Sequence, residues 1–145
     1  MVRKLTAAAM ACAVFGVAVA LVGQSELRPT SSSAVIARGR YLVDHVSKCG
    51  DCHTPRDEKG QPIISKYLQG GDLGVKPIAP NPVFTSIAPD ISAKGLAGWS
   101  IADLTKALQT GKRLNGEMFR PPMPDYTMNR RDAEAVATYL KSLRY

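Results

Sequence analysis

An all-α fold class is what this sequence predicts, and three observations carry the prediction. Three segments place apolar residues at helical spacing, a long Pro- and Gly-rich middle leaves little room for regular structure, and the apolar content is lean for the length. At 145 residues the chain has room for one globular unit and none for a second catalytic domain.

The first helix is expected over about residues 34–47, where Val35, Ile36, Leu42, Val43 and Val46 recur at rough helical spacing. Gly39 interrupts this segment; an isolated helical glycine costs about 1 kcal/mol, and close approach of another helix is the reason preferred for its presence. The next helix is the best delimited. Ser100 and Asp103 form an S-x-x-D start signal, Ile101, Leu104 and Leu108 supply the apolar stripe, and Gly111 ends it. The last opens at Asn129 or Arg130 and runs to about Leu143, with Asp132 in its first turn and Ala133, Val136, Ala137, Leu140 and Leu143 on one face.

Residues 54–99 hold six Pro and six Gly in 46 positions, with only short apolar runs such as Ile63-Ile64 and Val83-Phe84. A loop of this length argues against a compact domain unless it wraps something or serves as a binding segment. Hydrophobic residues are 45% of the chain, but 18 of them fall in the first 23 positions, and aromatics are 6%. Something other than side chains is therefore expected to fill the centre.

Residues 1–23 read as an apolar leader helix. Arg3 and Lys4 precede a run from Leu5 to Ser25 without a charge. Ala18-Val19-Ala20 provides a signal-peptide cleavage site, whereas the eighteen-residue apolar stretch Leu5 to Val22 approaches the ~20 residues that span a bilayer. Cleaved signal and uncleaved inner-membrane anchor both remain open, and both export the folded domain to the periplasm. Cys12 is read as leader filler. Residues 24–33, with Pro29 and the Thr30 to Ser33 run, form a polar linker, and the folded domain covers residues 34–145. The net charge of +7 falls to +5 without Arg3 and Lys4. The basic residues are scattered and not interleaved with aromatics, which excludes a nucleic-acid surface and suits a solvated basic face or the steering of acidic partners.

The chemistry lies in Cys49-Gly50-Asp51-Cys52-His53, a C-x-x-C-H string. This is the pattern in which two thiols form thioethers to the vinyl groups of one haem and the adjacent histidine binds iron. Two intervening residues let both sulfurs reach one edge of the porphyrin, and the next side chain turns beneath the ring. Three other readings exist for the string. Zinc needs a fourth and preferably thiolate-rich ligand set, whereas only Cys49, Cys52 and the two histidines lie outside the leader; a thioredoxin-like dithiol needs a βαβ setting that the Pro- and Gly-rich sequence after Cys52 does not offer; and a Cys49–Cys52 disulfide leaves His53 unexplained.

The second axial ligand is to be chosen among His45, Met118, Met123 and Met128. His45 lies four residues before Cys49 and would have to reach around the ring edge. Met123 stands in Arg120-Pro121-Pro122-Met123-Pro124-Asp125-Tyr126, where prolines on both sides fix φ and remove amide donors, holding an extended loop. It is the favoured ligand. Met118 and Met128 flank this rigid stretch in less constrained sequence.

With the motif after the first helix and Pro-Met-Pro before the last, the chain resembles class I cytochrome c over about Ala34 to Tyr145. It is most similar to the cytochrome c subunits of membrane-associated dehydrogenases. The shared stretches are Cys49 to Pro55, Gly70-Gly71, Ala88-Pro89-Asp90, Gly98-Trp99-Ser100, Pro122-Met123-Pro124 and Tyr139 to Leu143. Those subunits often carry Asn-Ile-Thr-Pro-Asp where this chain has Ser86-Ile87-Ala88-Pro89-Asp90, which changes the local hydrogen bonding expected near the haem. They also often carry several haem domains, whereas this chain has one C-x-x-C-H. The resemblance implies a cytochrome c fold of three main helices wrapped around one covalent haem c, the first and last crossing near Gly39. It places His53 and Met123 on opposite haem faces, with Trp99 and Tyr126 near the haem or its propionates.

The expected function is electron transfer with no substrate chemistry of its own. Two fixed axial ligands let iron cycle without ligand exchange, and thioether ligation with an apolar wrap raises the potential. The partners expected are redox proteins: a dehydrogenase, a cytochrome or an oxidase. A free carrier is favoured, a fixed relay subunit of a membrane-associated dehydrogenase complex is the runner-up, and a peroxidase or ligand sensor would need the Met123 site open.

Overall fold

A computed structural model describes residues 32–144. The leader helix of residues 1–23 and most of the linker lie outside them. Among the described residues no helix is long and apolar enough to cross a membrane.

Helix α1 (Ser32–Tyr41) continues into a π-helical turn, Leu42–Val46, closed by the Ser47 amide donating to Leu42 O at 2.7 Å. Helix α2 (Cys49–His53) carries the motif, α3 spans Ile101–Thr110 and α4 spans Arg130–Ser142. Between α2 and α3 regular structure is sparse, as the Pro and Gly content predicts. It amounts to one 3₁₀ turn, Ile64–Lys66, and a two-residue antiparallel ladder of β1 (Gly71–Asp72) with β2 (Ile87–Ala88), in which Gly71 faces Ala88 and Asp72 faces Ile87. The all-α expectation holds, and the three main helices are α1, α3 and α4.

The π turn corrects one detail of the first helix. Helical spacing puts Val46 on the apolar stripe, yet it is 57% exposed while Leu42 and Val43 are buried. Bonding from i to i+5 inserts one extra residue in the turn and rotates the end of the helix off the original face. Lys48 then adopts a left-handed conformation (φ 48°), which redirects the chain into α2.

The α1–α4 crossing rests on Gly39. A Cβ there would stand 2.0 Å from Ala135 O and 2.7 Å from Tyr139 Cβ, so the two backbones are in contact and only hydrogen fits. Arg38 seals the edge of the crossing, donating from Nε and Nη2 to the two carboxylate oxygens of Asp132 at 3.0 and 3.2 Å. Helix α4 is buried on two sides: Ala135 and Tyr139 meet α1, while Val136 and Leu140 join Leu104 of α3 in the core. That explains why Ala135 and Tyr139 are buried although they lie off the stripe read from sequence. Helix α3 has the expected ends. Ser100 Oγ accepts from the Asp103 amide at 3.0 Å, Asp103 Oδ2 accepts from the Ser100 amide at 3.1 Å, and Gly111 closes the helix at φ 68°.

This packing makes two mutations informative. Gly39→Ala improves intrinsic helix propensity by about 1 kcal/mol but overpacks the crossing, and a net loss of about 1–3 kcal/mol is expected in urea denaturation; unchanged stability would contradict the crossing. Asp132 sits below the ordinary carboxylate range, chiefly because it accepts from Arg38. Its contribution is present above the unfolded carboxylate pKa near 3.9 and is lost as pH falls through the lowered folded value. Asp132→Asn should therefore cost under about 1 kcal/mol at neutral pH, and the difference from wild type should vanish once the pH lies below that lowered folded value.

Candidate functional site

The helices and the long loop enclose an open-mouthed cavity of about 480 Å³. Leu104 and Leu108 from α3, Val136 and Leu140 from α4, and Leu96 and Ile91 from the preceding loop make it apolar. Side chains leave this volume unfilled, in keeping with the lean composition, and its size is that of a pocket for a small organic molecule or cofactor.

All four residues singled out in the sequence reach its wall: Cys49, Cys52, His53 and Met123. Helix α2 brings the first three. Cys49 is half-buried and Cys52 exposed, and they are not joined in a disulfide. Burial pushes the Cys49 thiol up to about 11. Gly50, between the two cysteines, lies under the Tyr67 ring, where an added Cβ would stand 2.6 Å from Tyr67 Cε2. The Tyr67 hydroxyl donates to Asp44 Oδ1 of the π turn at 2.5 Å, so one tyrosine clamps α2 to the end of the first helix. Burial, together with that bond to Asp44, drives the Tyr67 phenol far above its ordinary range.

His53 is buried, and its Nδ1 pairs with Pro89 O at 2.8 Å. Nδ1 is therefore the protonated nitrogen and donates, which leaves Nε2 with a lone pair and, among the described residues, no hydrogen-bond partner. Burial lowers the imidazole pKa, with the Pro89 bond opposing it, so the ring favours the neutral form that binds metal. The backbone fixes the same relation from the other side, since the Gly70 amide donates to His53 O at 2.7 Å and Gly70-Gly71 runs against Ala88-Pro89. Sequence reasoning does not single out Pro89 as a site residue. Its contribution is a carbonyl, for which a residue type gives no signal, although Ala88-Pro89-Asp90 is among the shared stretches.

Of the four candidates for the second ligand, Met123 and Met128 line the cavity, while His45 and Met118 do not. His45 is exposed and packs on Tyr41, and Met118 is 46% exposed. Met128 also packs against the hydrophobic core and donates its amide to Leu108 O at 3.1 Å, which gives it a filling role at the foot of α4. Met123 lies in the proline-framed loop, where its amide donates to Arg120 O at 3.0 Å and the Thr85 amide donates to Pro121 O at 2.9 Å. Tyr126 ties this loop to the motif side by donating to Ser47 O at 3.3 Å. Trp99 and Tyr126 both line the cavity.

The donor set is thus two thiols, a neutral imidazole with a free Nε2 and a thioether, arranged around an apolar hollow. It fits a covalently held haem. It does not fit zinc, because among the described residues no three of His, Cys, Asp and Glu converge on a metal-sized site.

The sequence model of the cytochrome c family matches residues 36–144. The chain belongs to the cytochrome c family. Membership brings haem c as cofactor and electron transfer as role. Relatives include the fructose dehydrogenase cytochrome subunit of Gluconobacter japonicus, 38% identical over 116 residues, which are 73% of this chain and 21% of the relative. A diheme cytochrome c-type protein of Cereibacter sphaeroides is 35% identical over 109 residues, covering 72% of this chain and 34% of that one. The cytochrome c subunit of the quinone alcohol dehydrogenase of Gluconobacter oxydans is 32% identical over 120 residues, 77% of this chain and 24% of the subunit. This cytochrome therefore spans between 21% and 34% of the length of these relatives.

Removing the clamp on the motif helix has a defined cost. Tyr67→Phe deletes a hydrogen bond to a carboxylate, and a loss of about 1–3 kcal/mol is expected in thermal or urea unfolding of the holoprotein. Equal stability of the two proteins would show that Asp44 is satisfied without it.

Proposed function

We propose that this cytochrome carries one haem c, attached through Cys49 and Cys52 and ligated by His53 and Met123, and passes single electrons from a dehydrogenase or other respiratory donor to an acceptor cytochrome or oxidase. The observation that supports this most is the convergence of those four side chains on one apolar cavity, with His53 Nε2 left free by the Pro89 bond. When bound, haem supplies a one-electron Fe(III)/Fe(II) couple. The rest falls to the polypeptide. Cys49 and Cys52 fix the cofactor against α2, Pro89 O orients the imidazole, and the apolar walls from α3 and α4 exclude water and disfavour added charge. The loop of Met123, held by Thr85 and Tyr126, keeps the thioether in place so that neither oxidation state requires a ligand to move. Cys52, exposed at the mouth, marks the edge through which electrons enter and leave.

The site of action proposed is the periplasm, reached by way of residues 1–23 as signal or inner-membrane anchor. A second reading is supported by the relatives, several of which are cytochrome subunits of dehydrogenases. In that reading the domain is a fixed relay within a dehydrogenase complex. Co-migration of haem with dehydrogenase activity on a native gel of the solubilised membrane fraction supports the relay; haem migrating alone supports the free carrier.

Met123→Ala tests the ligand assignment. The variant is expected to retain covalent haem by mass, to bind water in place of sulfur and to fall in midpoint potential, because the thioether favours Fe(II). Met118→Ala and Met128→Ala are expected to keep the wild-type spin state. A Met123→Ala protein with wild-type ligation would reject the assignment.

A further inference from the structure

Residues Lys66–Gln69 form a β turn, closed by the Gln69 amide donating to Lys66 O at 3.1 Å. Tyr67 at φ −53°, ψ 129° and Leu68 at φ 61° make it type II, the turn that calls for glycine at its third position. This chain has a leucine there, fully buried. A leucine in the left-handed region is strained, and such strain persists only where the surroundings hold it.

Two hydrogen bonds hold it. The Leu68 amide donates to Thr54 Oγ1 at 3.2 Å, and Leu68 O accepts from the Ile91 amide at 2.9 Å. Thr54 is buried, follows His53 directly and is the residue on which α2 ends. Ile91 lies two positions after Pro89, whose carbonyl accepts from His53 Nδ1. These contacts form a ring: His53 to Thr54 along the chain, Thr54 to Leu68, Leu68 to Ile91, Ile91 back along the chain to Pro89, and Pro89 to His53. Every acceptor in this ring is a backbone carbonyl except the Thr54 hydroxyl, so that hydroxyl is the link which a substitution can remove.

We propose that Thr54 is a positioning residue for His53: by accepting from the Leu68 amide it keeps Leu68 left-handed, and the Leu68 carbonyl then fixes Ile91 and aims the Pro89 carbonyl at the imidazole. The inference rests on His53 being the iron ligand of a bound haem. Without the hydroxyl oxygen a buried amide loses its acceptor, Leu68 relaxes towards negative φ and its carbonyl turns away from Ile91. The imidazole then donates less well to Pro89 O, becomes a weaker base towards iron and favours Fe(II).

The test compares wild type, Thr54→Val, Thr54→Ser and Gly39→Ala as full-length holoproteins, reading covalent haem by mass, the midpoint potential by titration, and the His53 Nδ1–H proton by NMR of the ferrous protein. Thr54→Val keeps the shape and removes the acceptor; it is expected to keep its haem, to raise the potential, to shift the Nδ1–H resonance and to speed its exchange with solvent about tenfold or more. Thr54→Ser restores the acceptor and is expected to return shift and potential to near wild type. Gly39→Ala destabilises the α1–α4 crossing, away from this ring, and is expected to leave both unmoved. If Thr54→Val yields no holoprotein, exchange in the wild type carries the test: the Leu68 amide, the Ile91 amide and the Nδ1–H are expected to lose protection together. A wild-type protein without attached haem, or with iron not bound by His53, would remove the underlying reading. With that reading intact, three results would overturn this inference and leave Thr54 a bond of the core alone. They are a Thr54→Val protein with wild-type shift and potential, a Thr54→Ser or Gly39→Ala protein that moves them as far as Thr54→Val does, and an Nδ1–H that exchanges while both amides stay protected.

Discussion

The hydrogen bond between His53 Nδ1 and Pro89 O is the interaction on which most of the site depends. It joins residues 36 positions apart, binding the motif helix to the far end of a loop that has almost no regular structure of its own. With Nδ1 occupied, only Nε2 is available to a metal, and the ring cannot rotate without abandoning a buried partner. The short β1–β2 ladder and the Gly70 amide on His53 O are the backbone that delivers Pro89 to that place. A long Pro- and Gly-rich segment thus serves as a wall and as an orienting device, its lack of helices replaced by contacts to the motif.

The second constraint is space. Helices α1 and α4 meet backbone to backbone at Gly39, and α3 packs on the other side of α4, yet the apolar faces of α3 and α4 still border an open cavity. Small residues bring the helices together at one end, and at the other the apolar surfaces line a cavity. The folding energy of such a domain includes the burial of the cofactor's faces, which is why its own apolar content can be modest.

Much of this is legible in the sequence, and the reasons differ by element. Helix α3 is readable at both ends because Ser100, Asp103 and Gly111 act through local backbone geometry. Gly39 is readable as a crossing because glycine within a helical pattern has few other uses. The π turn is not: a shift from i+4 to i+5 bonding leaves no mark on residue type, so helical spacing places Val46 on the wrong face. The meeting of Cys49, Cys52, His53 and Met123 on one cavity wall is legible through their chemistry and spacing. The contacts behind them, Pro89 O and Tyr67 with Asp44, are not, because a carbonyl is carried by every residue and long-range pairs depend on tertiary placement.

We propose that Met123 sulfur and His53 nitrogen hold one haem iron in the cavity. The most direct measurement is the absorption spectrum of the ferric holoprotein, produced with haem-attachment machinery, in the far-red region where sulfur-to-iron charge transfer appears. That weak band together with low-spin iron is the predicted result. High-spin iron without the band would contradict it, showing a coordination position open to water and a site suited to binding a ligand instead of passing an electron.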